Sequence, residues 1–280
     1  MSAHPMPKPA EADQAAPSPL LLRRDEGAGV HVLTLNRPAA RNALSLAMLD
    51  VLAATFEDIA KDPGVRAVVL TAEGSVFSAG HDLREITAHR DDPDGGRAFF
   101  STTMTRCAEV MQAITALPQP VIAAVHGVAT AAGCQLVATC DLAVASTQAR
   151  FCTPGVDIGL FCSTPAVALS RAVPAKPAME MLLLGEMIPA EEALRIHLIN
   201  RVVPPDQVMP TALDLARRIA ARSALTIRLG KQNFYRQLGR PLDQAYACSA
   251  AVMVENLLAE DAAEGIGAFL GKRKPVWKDR

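Results

Sequence analysis

Two segments constrain this chain more than any others: Val76-Phe77-Ser78-Ala79-Gly80-His81-Asp82-Leu83, and Val125-His126-Gly127-Val128-Ala129-Thr130-Ala131-Ala132-Gly133-Cys134-Gln135. Each is a β-like apolar run that breaks into small residues and re-enters a helical pattern. Each therefore leaves backbone N–H groups free at a turn. Aimed at one point, two such turns make an oxyanion hole. The plain alternative is that Gly80 and Gly133 only permit tight turns.

The rest of the chain fits a layered α/β fold in which strands alternate with helices. An alternating pattern predicts a strand over 29–36, a buried strand is expected over 66–71, and further strands are expected over 121–126 and 141–146. Amphipathic patterns predict a helix over 43–61, started by Asn42 and ended near Asp62-Pro63-Gly64, one over 97–117 stopped by Pro118, and a short one over 131–139. After Thr164 the pattern is almost wholly helical, over 164–171, 176–185, 190–196, 207–223, 224–238, 242–258 and 261–272. The expected organisation is a Pro- and Ala-rich tail over 1–20, a core over 21–203 and a helical C-terminal subdomain over 204–280, divided where the composition shifts near Pro204.

A net charge of −1 gives no electrostatic case for nucleic acid or an anionic membrane, so a small molecule is the expected partner. No uninterrupted apolar run approaches the ~20 residues of a membrane span. The six cysteines show no C-x-x-C pair and sit in apolar runs, which suits reduced, packed thiols. No metal site is expected from them. The tail lacks a basic stretch followed by an apolar one, and a cytoplasmic home is the expectation.

Leu35-Asn36-Arg37-Pro38, Asn42-Ala43-Leu44, Val68-Val69-Leu70-Thr71, Ser78-Ala79-Gly80-His81-Asp82-Leu83, Pro120 to Gly127 and Cys140-Asp141-Leu142-Ala143, in that order, resemble the enoyl-CoA hydratase/isomerase (crotonase) family. The similarity runs from about Leu22 to Lys274. It implies a spiral of ββα units closed by C-terminal helices, assembled as a homotrimer or a dimer of trimers and acting on acyl-CoA thioesters. No cofactor is implied beyond the CoA that the substrate carries. By resemblance, the amides of His81 and Ala132 polarise the thioester carbonyl.

The sequence departs from that family where its hydratases carry two glutamates that hold and activate water. Gln135 and Gly155 stand in those places. An amide does not titrate and glycine has no side chain, so ordinary hydration should be slow, and restoring both glutamates should raise it. Ser163 falls where some isomerases of the family carry a carboxylate, and Asp157 reads as structural. Two other readings follow: a decarboxylase of malonyl-type thioesters that uses the His81 imidazole, or a non-catalytic acyl-CoA binder. For CoA, the resemblance points to Ala79, His81, Asp82, Leu83 and Arg84, to Arg41 near phosphate, and to Phe269 and Lys272 reaching a neighbouring subunit's ligand.

Overall fold

The computed structural model describes residues 18–280, so most of the 1–20 tail lies outside the described residues. In chain order the elements are β1 (Leu21–Asp25), β2 (Val30–Leu35), α1 (Leu46–Lys61), β3 (Ala67–Ala72), β4 (Val76–Ser78), α2 (Leu83–Ala88), α3 (Arg97–Ala116), β5 (Val121–Val125), β6 (Val128–Thr130), α4 (Ala132–Thr139), β7 (Leu142–Ser146) and β8 (Arg150–Cys152). There follow α5 (Ser163–Ala172), α6 (Ala175–Leu184), β9 (Ile188–Pro189), α7 (Ala190–Arg195), β10 (Arg201–Val203), α8 (Val208–Ala220), α9 (Ala224–Gln237), α10 (Leu242–Leu258) and α11 (Glu260–Leu270).

Three successive turns of the chain repeat strand, strand, helix: β3–β4–α2, β5–β6–α4 and β7–β8–α5. The first strand of each enters a six-stranded sheet ordered β1-β2-β3-β5-β7-β10; the second enters a four-stranded sheet ordered β4-β6-β8-β9. Neighbours are parallel except β1 against β2 and β8 against β9. Parallel strands covered on both faces need apolar side chains at every position. β5, Val-Ile-Ala-Ala-Val, is buried throughout.

One face of the large sheet packs Leu33, Leu35, Leu70 and Val125 with α1 and α3, burying Leu49, Leu52, Phe56, Val110 and Ile114. The other face, Val30, Val32, Val69, Ile122 and Val144, is covered by Val208, Ala212 and Ala216 of α8. Their spacing of four places all three on one stripe of that helix.

Two details differ from the sequence reading. Asn42 does not start the first long helix; Ser45 caps it, its hydroxyl accepting from Met48 N at 3.2 Å. The strands β4, β6, β8, β9 and β10, of two or three residues, are too brief to show a period, and neighbouring strands fix them. No helix among the described residues is long and apolar enough to cross a membrane.

Candidate active site

The first turn is built on Asn42. Arg37 N donates to Asn42 Oδ1 at 2.9 Å, and Asn42 Nδ2 donates to the carbonyls of Glu73 and Val76, both at 2.8 Å. The segment 41–44 then runs beside 78–81. Ser78 Oγ donates to Asn42 O, Ala79 N to Arg41 O and Leu44 N to Gly80 O. At the corner Gly80 holds φ +84°, a conformation open to glycine at no steric cost.

The second turn comes from β6 into α4. Ala131 N donates to Cys152 O at 3.0 Å, and Ala131 takes φ 49° and ψ −119° before Ala132 opens the helix. The two turns touch. A Cβ on Gly133 would lie 2.4 Å from Ser78 O, and one on Gly80 would lie 2.9 Å from Ala131 Cβ and 3.2 Å from Ala132 N. Two amides, of His81 and Ala132, emerge at this junction. Among the described residues neither donates to a protein acceptor.

The His81 ring turns inward. Its Nδ1 lies 3.4 Å from Leu44 O, and its Nε2 is buried with no partner. Burial lowers its pKa, offset in part by the Leu44 carbonyl, so the imidazole is neutral near pH 7. An uncharged ring with a buried Nε2 offers a substrate carboxylate no ion pair, which weakens the decarboxylase reading that uses the imidazole.

Gln135, on the first turn of α4, is 4 % exposed, and Cys107 Sγ of α3 approaches its Oε1 at 3.9 Å. Gly155 is buried within the 3₁₀ turn Pro154–Ile158. A Cβ there would lie 2.7 Å from Leu160 O and 2.9 Å from Cys162 Sγ. The expectation that a glutamate at 155 could restore water activation therefore fails on space, since its φ is not positive. Ser163 is exposed at the start of α5, its Oγ 3.4 Å from Phe161 O.

Cys134, Cys152 and Cys162 lie near one another, and burial pushes all three thiols up, Cys152 to about 11. Cys107 rises to about 12 for the same reason. They are packed, protonated side chains. Among the described residues no three His, Cys, Asp or Glu groups converge as metal ligands.

Around the rim, Asp82 is occupied structurally. It caps α2 by accepting from Arg84 N and Glu85 N, and it pairs with Arg37 Nη1 at 2.6 Å. Burial raises its pKa, but the Arg37 guanidinium and those two amides outweigh it and hold the carboxyl below its usual value. Ala79 contributes its backbone, while Arg41, Leu83 and Arg84 are exposed. Phe269, 82 % exposed, and Lys272 lie at the end of α11, which packs on α10. Asn42 and Ala131 were missed by sequence reasoning; only the Asn-Ala-Leu string hinted at the first.

The profile of the "Enoyl-CoA hydratase/isomerase" family matches residues 25–280. The chain belongs to the enoyl-CoA hydratase/isomerase family. It is 48% identical over 271 residues, 96% of this chain and 89% of the relative, to "Enoyl-CoA hydratase domain-containing protein 3, mitochondrial" of Rattus norvegicus. It is 35% identical over 252 residues, 90% of this chain and 96% of the relative, to "2,3-dehydroadipyl-CoA hydratase" of Escherichia coli. A crystal structure of an enoyl-CoA hydratase from Mycobacterium smegmatis superposes with a TM-score of 0.89 at 49% identity, covering 93% of this chain and 99% of that one. The crotonase-like architecture of this enzyme family is therefore the fold. One expectation is corrected: the rat relative and its counterparts in frog and human are named as mitochondrial, which overturns the cytoplasmic assignment.

Proposed function

We propose that the protein is an acyl-CoA enzyme that stabilises a thioester enolate with the amides of His81 and Ala132. The observation that carries this is the junction at Gly80, where two acceptor-free amides emerge from touching turns. A thioester oxygen placed between them would gain charge as the enolate forms, and fixed N–H dipoles favour that state over the ground state. Arg41, Leu83 and Arg84 are the proposed contacts for CoA, carried in by the substrate. Phe269 and Lys272 would reach the CoA of a neighbouring subunit in a homotrimer or a dimer of trimers.

On this reading Gln135 and Gly155 stand beside the two amides in place of two carboxylates. Hydration of crotonyl-CoA should therefore be slow, because loss of general acid–base help costs roughly 10²–10⁴ per group. The uncharged wall favours a second reading. Decarboxylation of a malonyl-type thioester needs the enolate hole and no base, and Gln135 and Gly155 bring no charge to repel the substrate's own carboxylate. A non-catalytic acyl-CoA binder is the remaining outcome.

Acetoacetyl-CoA tests the first reading, because its enolate is detected by absorbance when a hole captures it. The wild type should show saturable binding with enolate formation. Gly80→Ala, whose methyl intrudes on Ala132 N, should reduce the enolate signal about 10²–10³-fold, the scale of one lost donor. Binding without enolate formation or turnover would leave the binder; no binding of any acyl-CoA would overturn the reading.

A further inference from the structure

Helix α4 carries a buried amide of which only one end finds a partner. Gln135 N closes the first turn of that helix on Ala131 O at 2.9 Å, which holds the residue in place. Further along, the Thr139 hydroxyl is engaged, donating to Gln135 O at 2.7 Å. The Gln135 side chain is different. At 4 % exposure its amide groups call for partners.

Oε1 has one, because Cys107 Sγ of α3 lies 3.9 Å away. Burial pushes that thiol up to about 12, so it stays protonated and meets Oε1 as a donor. Nε2 is therefore turned the other way. Among the described residues it donates to nothing, yet unlike His81 Nε2 it is not sealed in and keeps contact with accessible space.

The helix decides what that space adjoins. Gln135 follows Ala132 by three residues, so the two share a face of α4. A helical side chain leans toward the N-terminus of its helix and covers the turn before its own Cα. Gln135 thus runs back over the turn from which the Ala132 amide emerges. In an acyl-CoA whose thioester oxygen is held at that amide, the next atoms along the acyl chain are C2 and C3.

Resting on the enolate reading above, we propose that Gln135 Nε2 is a specificity-determining donor that takes an oxygen carried on C3 of the acyl group, and that Cys107 is the positioning residue that keeps Nε2 turned toward it. The substrate class is a thioester with an acceptor at C3, whether ketone or carboxylate. A saturated or 2-enoyl thioester offers only carbon there. It leaves a desolvated N–H unpaired, and a site built around a buried donor rejects such an analogue. The amide also sets no charge against a C3 carboxylate, where a glutamate would.

Calorimetry on the full chain tests this with acetoacetyl-CoA, which has a C3 ketone, and butyryl-CoA, which has none. The enolate hole by itself favours acetoacetyl-CoA, so the measured quantity is the change in the ratio of the two affinities on substitution. Gln135→Met, close in volume and without a donor, should lower the preference for acetoacetyl-CoA at least fivefold. Gln135→Ala should do the same and serves if the methionine variant does not fold. Cys107→Val frees the amide to turn over and should lower the preference at least twofold; Cys107→Ser keeps a donor and should restore it. A fall of less than fivefold in a folded Gln135 variant overturns the proposal, since a merely structural loss weakens both thioesters alike. So does a valine variant with no lower preference than the serine one. If the preference is unmoved while acetoacetyl-CoA still forms its enolate, this inference alone fails; if neither thioester binds, it fails together with the reading it rests on.

Discussion

Ala131 holds φ 49° and ψ −119°, a combination that a side chain tolerates poorly. Its strain is part of how the Ala132 amide is presented, and such strain is of order 1–3 kcal/mol. Ala131→Gly should raise stability by about 1 kcal/mol, after the extra freedom of glycine in the unfolded chain is subtracted, as read from denaturant midpoints. A drop in stability would show that the methyl is needed where it lies. The opposite holds at Gly155, where Leu160 O and Cys162 Sγ leave no room. Gly155→Glu should destabilise by more than 2 kcal/mol and add no hydratase activity, whereas Gln135→Glu alone should raise crotonyl-CoA hydration.

The carboxyl of Asp82 shows how a residue near the hole serves the fold. Its folded pKa is below its unfolded value, so the stability it contributes is fully present above about pH 4 and is lost as pH falls through the folded pKa. Asp82→Asn should cost about 2 kcal/mol at pH 7 and flatten the acid limb of the stability curve. An unchanged acid limb would assign that limb to other carboxylates.

At the scale of elements, α9 is tied to the core through Lys231 and Tyr235, which meet on Asp141. Lys231 Nζ donates to Ile114 O and Gln119 O, both at 2.9 Å, and pairs with Asp141 Oδ2 at 2.7 Å. Asp141 also accepts from Tyr235 OH at 2.9 Å and from Val121 N at 2.7 Å, so every partner is satisfied. Burial lowers the Lys231 pKa, with Asp141 pulling it back up. Removing one member of such a pair strands a buried charge, a loss of about 3–5 kcal/mol. Lys231→Met should therefore lower stability by that order and speed amide exchange along α9; protection equal to the wild type would locate the anchor elsewhere. In the sequence, Lys231 is one cation among many on a helical pattern. Cys140-Asp141-Leu142 was legible as a motif, but its partner lies 90 residues away.

For the whole molecule, α10 and α11 expose Leu242, Tyr246, Leu258, Phe269 and Leu270, each 71–82 % accessible. Apolar surface in such quantity marks an interaction face, and the proposed trimer would bury it. Leu258→Asp together with Phe269→Ser should shift the mass seen by light scattering toward a single chain. Tight CoA binding should weaken with it, because Phe269 and Lys272 would no longer meet a neighbour. A monomeric wild type would remove the proposed assembly.

Local signals carried far in this chain. Apolar period, Pro and Gly punctuation and the order of motifs were enough for the ββα alternation, the helical C-terminal pattern and the two turns, because each depends on residues within a few positions of one another. The lengths of β4, β6 and β8, the inward turn of the His81 ring, the crowding at Gly155 and the bracing of the first turn by Asn42 were decided only by tertiary structure. Each is a contact between segments 20 or more residues apart or a competition for space, and a one-dimensional pattern encodes neither. Chemistry at the site divides the same way: that the two glutamates are absent is a matter of residue type, while the lack of room to restore the second is a matter of packing.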